Sequence, residues 1–169
     1  IIDGDLGLGN VNVLFGFLPK FNLYHVMKGH RSIRDIVFHT PEGVDVIPGS
    51  NGYPQFANLD EKSRDQLIQS FSVLDNYDYI LIDTGAGIGP NVISFTLYAN
   101  EVILVIAPDP SSVTDSYGLI KSLIALDKNK KISFIVNRIR TEQEGNKVVK
   151  RITEISNKFL GIKPINVGF

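Results

Sequence analysis

Two acids lie one residue apart among three glycines in the segment Asp3-Gly4-Asp5-Leu6-Gly7-Leu8-Gly9-Asn10. Glycine lets backbone N–H groups approach a phosphate closely, and carboxylates hold Mg²⁺ directly or through water. The segment therefore fits a phosphate and metal site. An ordinary strand-to-helix turn in which Asp5 caps the helix is the alternative interpretation, and the segment alone favours neither.

An apolar run ends in an acid and a glycine-rich turn in the segment YDYILIDTGAGIG at residues 77–89. This is the Walker B pattern, in which the acid, here Asp83, supports the water shell of Mg²⁺. A glycine in the following turn can donate its N–H to a terminal phosphate. Many strands of α/β proteins end in Asp without binding a nucleotide, so a purely structural role is the alternative.

Asn137 follows a further apolar run. Its amide offers a hydrogen-bond donor and an acceptor together, which suits the edge of a purine base. One Asn at a strand end is weak support for a base-binding role when it is taken alone.

Two other chemistries fit the sequence less well. The segment Gly85-Ala86-Gly87-Ile88-Gly89-Pro90 resembles a dinucleotide-binding fingerprint, and Asp109 follows about 20 residues later. The fingerprint G-x-G-x-x-G requires glycine where this chain has Pro90, so the spacing fails. A nucleophile elbow of the form G-x-S-x-G is absent from the sequence, which disfavours triad hydrolase chemistry.

Composition bounds the class of protein. The 169 residues are 43% hydrophobic and 21% charged, as in ordinary globular domains. A formal net charge of -1 gives no electrostatic footprint for nucleic acid. Cysteine is absent, and the three histidines, His25, His30 and His39, lie at no metal-ligand spacing. The sequence contains no apolar run of the ~20 residues needed to cross a membrane, and we expect a cytoplasmic location.

Short apolar runs alternate with segments of helical periodicity. Ile1 and Ile2, with Asp3 at their end, indicate the last part of a buried strand. Further strands are predicted from runs rich in Val and Ile at Val44–Pro48, Tyr79–Asp83, Val102–Ala107 and Ile132–Asn137, with a weaker one at Lys163–Val167. They lack polar alternation, which is typical of strands buried on both faces of a parallel sheet.

Helices are predicted at Glu61–Leu74, Pro90–Tyr98, Ser111–Leu126 and Glu142–Leu160. Asp60 is placed to begin the first of them, and Gly161 is placed to end the last in a left-handed conformation. Alternating strands and helices predict an α/β fold with a mostly parallel sheet and helices on both faces. We expect one domain over residues 1–169, incomplete at its N-terminus.

Taken in order, these segments resemble the MinD/ParA/FlhG family of P-loop ATPases. DGDLGLGNVNVLFG resembles the family's switch I segment, YDYILIDTGAGIG its Walker B and switch II segment, and IVNRIR its adenine-contacting strand end. Other segments resemble flagellar number regulators of the FlhG type more than the cell-division branch, namely LPKFNLYHVMKG, VIPGSNG, APDPSSVTDSYGLIK and VNRIRTEQEG. The resemblance extends over residues 1–169.

The resemblance implies roles for individual residues. Asp5 matches the switch I acid that orients the water attacking the γ-phosphate, and Asp3 matches the neighbouring acid near Mg²⁺. Asp83 matches the Walker B acid, which supports the metal. Gly87 matches the switch II glycine close to the γ-phosphate, and Asn137 matches the residue that reads adenine.

Five further residues are implied with less specific roles. Asn10 and Arg138 are expected to contact the nucleotide, although a solvated surface position is an equal alternative for Arg138. Asp109, Ser112 and Asp115 match a segment that in relatives helps to form the dimer and the regulator-binding face.

For the whole protein, the resemblance implies a nucleotide switch. Two ATP molecules with Mg²⁺ would be sandwiched in a homodimer that hydrolysis dissolves, and the switch would govern flagellar number and placement. Implied partners are a flagellar GTPase of the signal-recognition-particle type and flagellar switch or transcription-regulator proteins. Reversible inner-membrane association would use a C-terminal helix absent from this sequence, and no direct nucleic-acid binding is expected.

One motif of the family is missing. The sequence contains neither KGGxGK[ST] nor any other G-x-x-x-x-G-K-[ST] phosphate-binding loop. We therefore expect the chain alone to bind ATP poorly or not at all. Two other functions stay open, a non-catalytic interaction module on the same fold and a cell-division or partitioning ATPase of the MinD/ParA type.

Overall fold

The structure is a computed structural model that describes residues 1–50, 56 and 58–169. The chain divides into two compact units, Ile1–Phe95 and Thr96–Phe169, and helix α4 (Pro90–Tyr98) spans the division. The expected single domain remains a prediction, and each unit is described by itself. Asn51 and Gly52 of the VIPGSNG segment lie outside the described residues. No helix in the described ranges is long and apolar enough to span a membrane.

The first unit is built from short elements. Its strands and helices are β1 (Ile2–Asp3), α1 (Val11–Leu14), α2 (Leu23–Met27), β2 (Phe38–His39), β3 (Asp45–Val46), α3 (Glu61–Ser70) and β4 (Ile82–Asp83). Strands β1 and β4 pair in parallel, with Ile2 opposite Ile82 and Asp3 opposite Asp83. On its other side, Ile2 of β1 forms a parallel β-bridge with Ile47. These pairings leave β1 in the middle of a small parallel ladder.

One apolar cluster stabilises the first unit. It includes Ile2 of β1, Leu23 of α2 and Leu67 of α3, each at most 2% exposed. The rings of Phe71 and Phe95 stack with centroids 6.2 Å apart, which ties the turn after α3 to α4. Burying side chains of this size contributes roughly 1.5–3 kcal/mol each. The cluster therefore holds the strand end that carries Asp3.

The antiparallel pair of β2 and β3 departs from the expected parallel arrangement. The predicted strand Val44–Pro48 is observed as Asp45–Val46, with Val46 opposite Phe38. A tight turn explains the pairing, because Thr40 Oγ1 donates to the Val44 carbonyl at 2.7 Å and Gly43 has a φ of 79°. A turn of this kind reverses the chain direction, so the strands on either side of it are antiparallel. The residues of the turn have no apolar pattern, and the sequence therefore does not predict this strand pair.

The second unit is a three-stranded parallel sheet with two helices. It contains β5 (Glu101–Ile106), α5 (Pro110–Leu126), β6 (Lys131–Val136), α6 (Glu142–Leu160) and β7 (Ile165–Gly168), in the strand order β5-β6-β7. Helix α5 packs on β5, α6 packs on β6, and the two helices pack on each other. They therefore lie on one face of the sheet, where Leu104, Phe134 and Ile152 are buried.

Burial in β5 alternates, although the sequence predicts strands covered on both faces. Val102, Leu104 and Ile106 are buried, whereas Ile103 and Val105 are 55% and 64% exposed. Both helices of residues 96–169 lie on the opposite face, which explains the exposure within this unit.

The helix boundaries follow the capping signals closely. Asp60 accepts a hydrogen bond from the Ser63 N–H at 2.9 Å and begins α3 as predicted. Gly161 ends α6 with a φ of 70°, also as predicted. Helix α5 starts at Pro110 and not at Ser111, because Asp109 caps it and proline is favourable in the first helical position.

Tyr77 and the β2–β3 pair supply a test of the first unit. The Tyr77 hydroxyl donates to Asp45 Oδ2 at 2.5 Å and, with His39, holds the pKa of Asp45 below its ordinary value of 3.8. A lowered carboxyl pKa stabilises the fold above pH 3.8, and this contribution is lost as the pH falls through the folded-state pKa. Tyr77→Phe should lower the free energy of unfolding by about 1–2 kcal/mol at pH 7.

Urea denaturation between pH 7 and pH 3 checks this expectation. The difference between the wild-type chain and Tyr77→Phe should shrink below pH 3.8. Tyr79→Phe is the matched control, since Tyr79 is 88% exposed and its variant should be as stable as the wild type. A difference that does not change with pH would contradict the role given to this hydrogen bond.

Candidate functional site

The register of β1 and β4 brings two predicted site residues to one sheet edge. Asp3 and Asp83 are direct neighbours across the parallel pair, and both end their strands. The Gly4 N–H donates to the Asp83 carbonyl at 2.6 Å. A Cβ on Gly4 would lie 2.8 Å from that carbonyl oxygen, so only glycine allows the backbone after β1 to come this close to the end of β4.

Asp3 is fully buried at this edge. Its Oδ1 accepts from the Asp5 N–H at 3.3 Å, and its Oδ2 accepts from the Val11 N–H at 3.2 Å. A Cβ on Gly9 would come within 2.4 Å of the Asp3 carboxylate, and one on Gly49 within 2.9 Å. Asp3 therefore fixes both ends of the loop from residue 5 to residue 11. Its predicted contact with Mg²⁺ remains a prediction.

Asp5 is the first residue of the same loop and is half-buried. Its Oδ1 accepts from the N–H groups of Gly7 at 3.2 Å and Leu8 at 3.0 Å, which is the geometry of an Asx turn. A Cβ on Gly85 would lie 3.3 Å from Asp5 Oδ2, so the carboxylate faces the turn that follows β4. The structure thus brings Asp5 and the Walker B segment together.

The three carboxylates repel one another. Burial, followed by the charges of Asp83 and Asp5, raises the pKa of Asp3, while its two backbone donors oppose that rise. Partial desolvation, followed by the charge of Asp5, raises the pKa of Asp83, although this residue is exposed at the end of β4. Raised pKa values show that this sheet edge disfavours additional negative charge, so a cation would stabilise it.

The turn after β4 is open and glycine-rich. Gly87 has a φ of 92° and is exposed, a conformation that a side chain would strain. Gly87 lies four residues after Asp83, and its backbone is accessible to solvent. This geometry is compatible with the phosphate-facing role expected for Gly87, which remains a prediction.

Asn137 and Arg138 lie at the end of β6 in the second unit. The Asn137 N–H donates to the Ile106 carbonyl at 2.9 Å, and Asn137 Oδ1 accepts from the Arg138 N–H at 2.8 Å. Arg138 has a φ of 62°, which is uncommon for a residue other than glycine and is often found at functional sites. Both side chains are exposed, and their nucleotide contacts remain predictions.

Two of the three expected interface residues have local structural partners. Asp109 caps α5 and accepts from the Ser112 N–H at 2.8 Å. Ser112 Oγ in turn accepts from the Ala107 N–H at 2.9 Å. Asp115 is exposed on the second turn of α5. Their role in an interface remains a prediction.

The structure shows exposed apolar residues near Asp5 in sequence that the sequence analysis did not single out. Leu8, Val13, Leu14 and Leu18 are between 68% and 95% exposed, and Asn10 lies among them at the start of α1. The sequence signal is the absence of any charged residue between Asp5 and Lys20. Exposed apolar surfaces of this kind are typical of contacts with other molecules.

The donor set at the sheet edge suits a hard cation that keeps most of its water. Within residues 1–50, 56 and 58–169 there is no cluster of three or more His, Cys, Asp or Glu side chains that would enclose a metal. Mg²⁺ is commonly held by one or two carboxylates together with waters and substrate phosphates. Asp5 and Asp83 provide two such carboxylates, so the residues fit Mg²⁺ but do not form a complete cage.

The sequence is similar to two proteins whose names refer to flagella or to an antiactivator. The chain is 37% identical to the antiactivator FleN of Pseudomonas aeruginosa over 169 residues, covering 99% of this chain and 60% of FleN. It is 33% identical to the flagellum site-determining protein YlxH of Helicobacter pylori over 158 residues, covering 92% of this chain and 53% of YlxH. The chain thus spans between about half and two thirds of the length of these relatives.

Solved structures show the same fold. The septum site-determining protein MinD of Pyrococcus horikoshii, complexed with Mg-ADP, superposes with a TM-score of 0.69 at 27% identity. The match covers 86% of this chain and 62% of that protein. No protein-family model matches the sequence.

Gly9 gives a direct test of the support that Asp3 provides. Gly9→Ala should destabilise the chain by about 1–3 kcal/mol, because the new methyl group overlaps a buried and pinned carboxylate. Gly89→Ala is the control, since a Cβ there meets no atom within 4 Å. Thermal and urea unfolding of both variants provide the measurement, and equal stabilities would contradict the close packing of Gly9 on Asp3.

Proposed function

Because this chain is related in sequence and fold to the MinD/ParA-type P-loop ATPases, we propose that it forms the switch-bearing part of an ATPase that regulates flagellar number and placement. One observation carries the proposal. Asp5, two residues beyond β1, and Asp83, at the end of β4, lie at one edge of a parallel sheet, where Asp5 faces the turn after β4 and its charge contributes to the raised pKa of Asp83 after partial desolvation. We infer that both carboxylates contact the hydration shell of one cation. The names of FleN and YlxH support the flagellar role.

The proposed chemistry is phosphoryl transfer to water. Asp5 orients the attacking water, and its own position is fixed by the N–H groups of Gly7 and Leu8. Gly87 donates its N–H toward the terminal phosphate, and Asn137 reads the base with its side-chain amide. Mg²⁺, when bound near Asp83, would neutralise charge that develops on the phosphate oxygens.

Asp3 acts as a positioning residue in this proposal. Its oxygens hold the N–H groups that begin and end the Asp5 loop, so they set where Asp5 can reach. A loop that is held at both ends keeps a water-orienting carboxylate in place at little entropic cost during the reaction.

The wider functions of the parent protein are part of the same proposal. ATP would join two copies, with Asp109, Ser112 and Asp115 in the contact surface, and hydrolysis would separate them. Exposed Leu8 donates its N–H to Asp5 and would therefore report the nucleotide state to a partner. Partners would be a flagellar GTPase, flagellar switch or transcription proteins, and reversibly the inner membrane.

Nucleotide titration of forms with and without a phosphate-binding loop distinguishes the ATPase from the alternative functions. We expect isothermal titration of Mg-ATP to give weak or no heat with the 169-residue chain, because no lysine and backbone cradle holds the phosphates. A longer form that carries a G-x-x-x-x-G-K-[ST] loop upstream should bind. Binding by neither form would favour a non-catalytic interaction module, and NAD binding that survives Asp5→Ala would favour the dinucleotide-binding alternative.

Asp5→Ala in that longer form tests the catalytic assignment. Phosphate release should slow by about 100-fold while titration shows Mg-ATP affinity within a few fold of wild type, because the lost contact acts on the water and not on the nucleotide. Asp78→Ala is the control, an exposed carboxylate outside the site. If Asp5→Ala instead lost affinity and left the maximal rate intact, Asp5 would hold the nucleotide and the proposed role would be wrong.

A further inference from the structure

A groove runs between α5 and α6 in the second unit. Its volume is about 500 Å³, and buried Val113 and Val148 lie along its floor beside Pro110. Arg140, Lys147, Arg151, Asp109 and Glu144 are among its other lining residues. The volume lies within the range of known binding sites of proteins, about 300–1,000 Å³. The groove therefore combines an apolar floor with a charged rim.

Three basic side chains line this α5–α6 groove. Lys147 and Arg151 are four residues apart on α6, which places them on the same face of the helix, and Arg140 precedes the helix. Within the described ranges, the ion pairs closer than 4.0 Å join His39 to Asp45 and Lys150 to Glu154. The three basic groups of the groove therefore lack an acidic partner at that distance.

The two acids that line the groove accept hydrogen bonds from neutral groups close to them in sequence. Asp109 Oδ1 accepts from Ser111 Oγ at 2.6 Å and from the Ser112 N–H at 2.8 Å at the start of α5. Glu144 Oε2 accepts from the Arg140 N–H at 2.8 Å at the start of α6. Asp109 caps α5 and Thr141 caps α6, so the two acids have local backbone partners. They keep their negative charges, and the three basic side chains outnumber them in the groove.

We propose that the α5–α6 groove binds an acidic peptide segment of a partner protein, with carboxylates on the basic rim and an apolar side chain over Val113 and Val148. Charge complementarity identifies the partner's chemistry, because the groove is lined by three basic and two acidic side chains and its excess of positive charge favours an anionic ligand. The apolar floor favours a peptide over a bare phosphate group, which would leave Val113 and Val148 uncovered. The net charge of -1 disfavours nucleic acid, which requires a wider basic surface.

Selection from a phage-displayed library of random 12-residue peptides tests the proposal on the 169-residue chain without nucleotide. We expect the enriched peptides to combine Asp or Glu with large apolar residues. Their affinity, measured by fluorescence anisotropy, should fall by at least about tenfold for Lys147→Glu/Arg151→Glu and change little for Lys150→Glu. Lys150 lies on the same helix and is exposed, but it does not line the groove.

Charge reversal supplies the second arm. Replacing the acids of an enriched peptide with Lys should restore binding to Lys147→Glu/Arg151→Glu and abolish it with the wild type, a result that unfolding of the variant would not produce. The proposal is overturned if no peptide is enriched, if enriched peptides lack acids, or if Lys150→Glu weakens binding equally. Tighter binding of a random 12-nucleotide DNA at the same residues would also overturn it. Because ATP takes no part, these outcomes are independent of the proposed ATPase.

Discussion

The buried carboxylate of Asp3 is the constraint on which the candidate site depends. A charge or a polar group removed from water must find hydrogen-bond donors, and Asp3 finds them in the N–H groups of Asp5 and Val11. Those two bonds fix the loop that presents Asp5. The glycines at positions 9 and 49 follow from the same constraint, because the carboxylate leaves no room for a side chain on either.

The electrostatics of the sheet edge connect this packing to function. Parallel pairing of β1 and β4 puts Asp83 beside Asp3, and the Asp5 loop adds a third acid. Desolvation, followed by repulsion between the carboxylates, raises the pKa values of Asp3 and Asp83, although two backbone N–H donors oppose the rise at Asp3. A cation at this sheet edge would favour the ionised carboxylates, which supports the proposed nucleotide switch. In the second unit the α5–α6 groove is lined by three basic and two acidic side chains, of which Asp109 caps α5 and Glu144 accepts a hydrogen bond from the Arg140 N–H.

Long periodic elements were predictable, and short ones were not. The bounds of α4 and α6 match the sequence prediction, and α5 begins one residue earlier than predicted. Strands β5 and β6 both begin and end one residue earlier than predicted. The apolar run Tyr79–Asp83 predicts a strand of five residues, but β4 has two residues. Its partner β1 also has two residues, so the ladder between them contains two residue pairs. The helices α1 and α2 and the strand β2 were missed, since they are held by turns and tertiary contacts and not by a repeating apolar pattern.

The sequence alone determined the α/β alternation, the identity of the acids at strand ends and the resemblance to a nucleotide-switch family, because each of these is encoded in local runs and motifs. Only the tertiary structure decided that Asp3 is buried as a loop support while Asp5 is presented at the surface, although both occur in the same acid-Gly-acid turn. It also decided that Lys147, Arg151 and Arg140 line one groove with Pro110 and Val113. Burial and proximity between distant segments depend on how elements pack, and a linear pattern of residue types does not specify that packing.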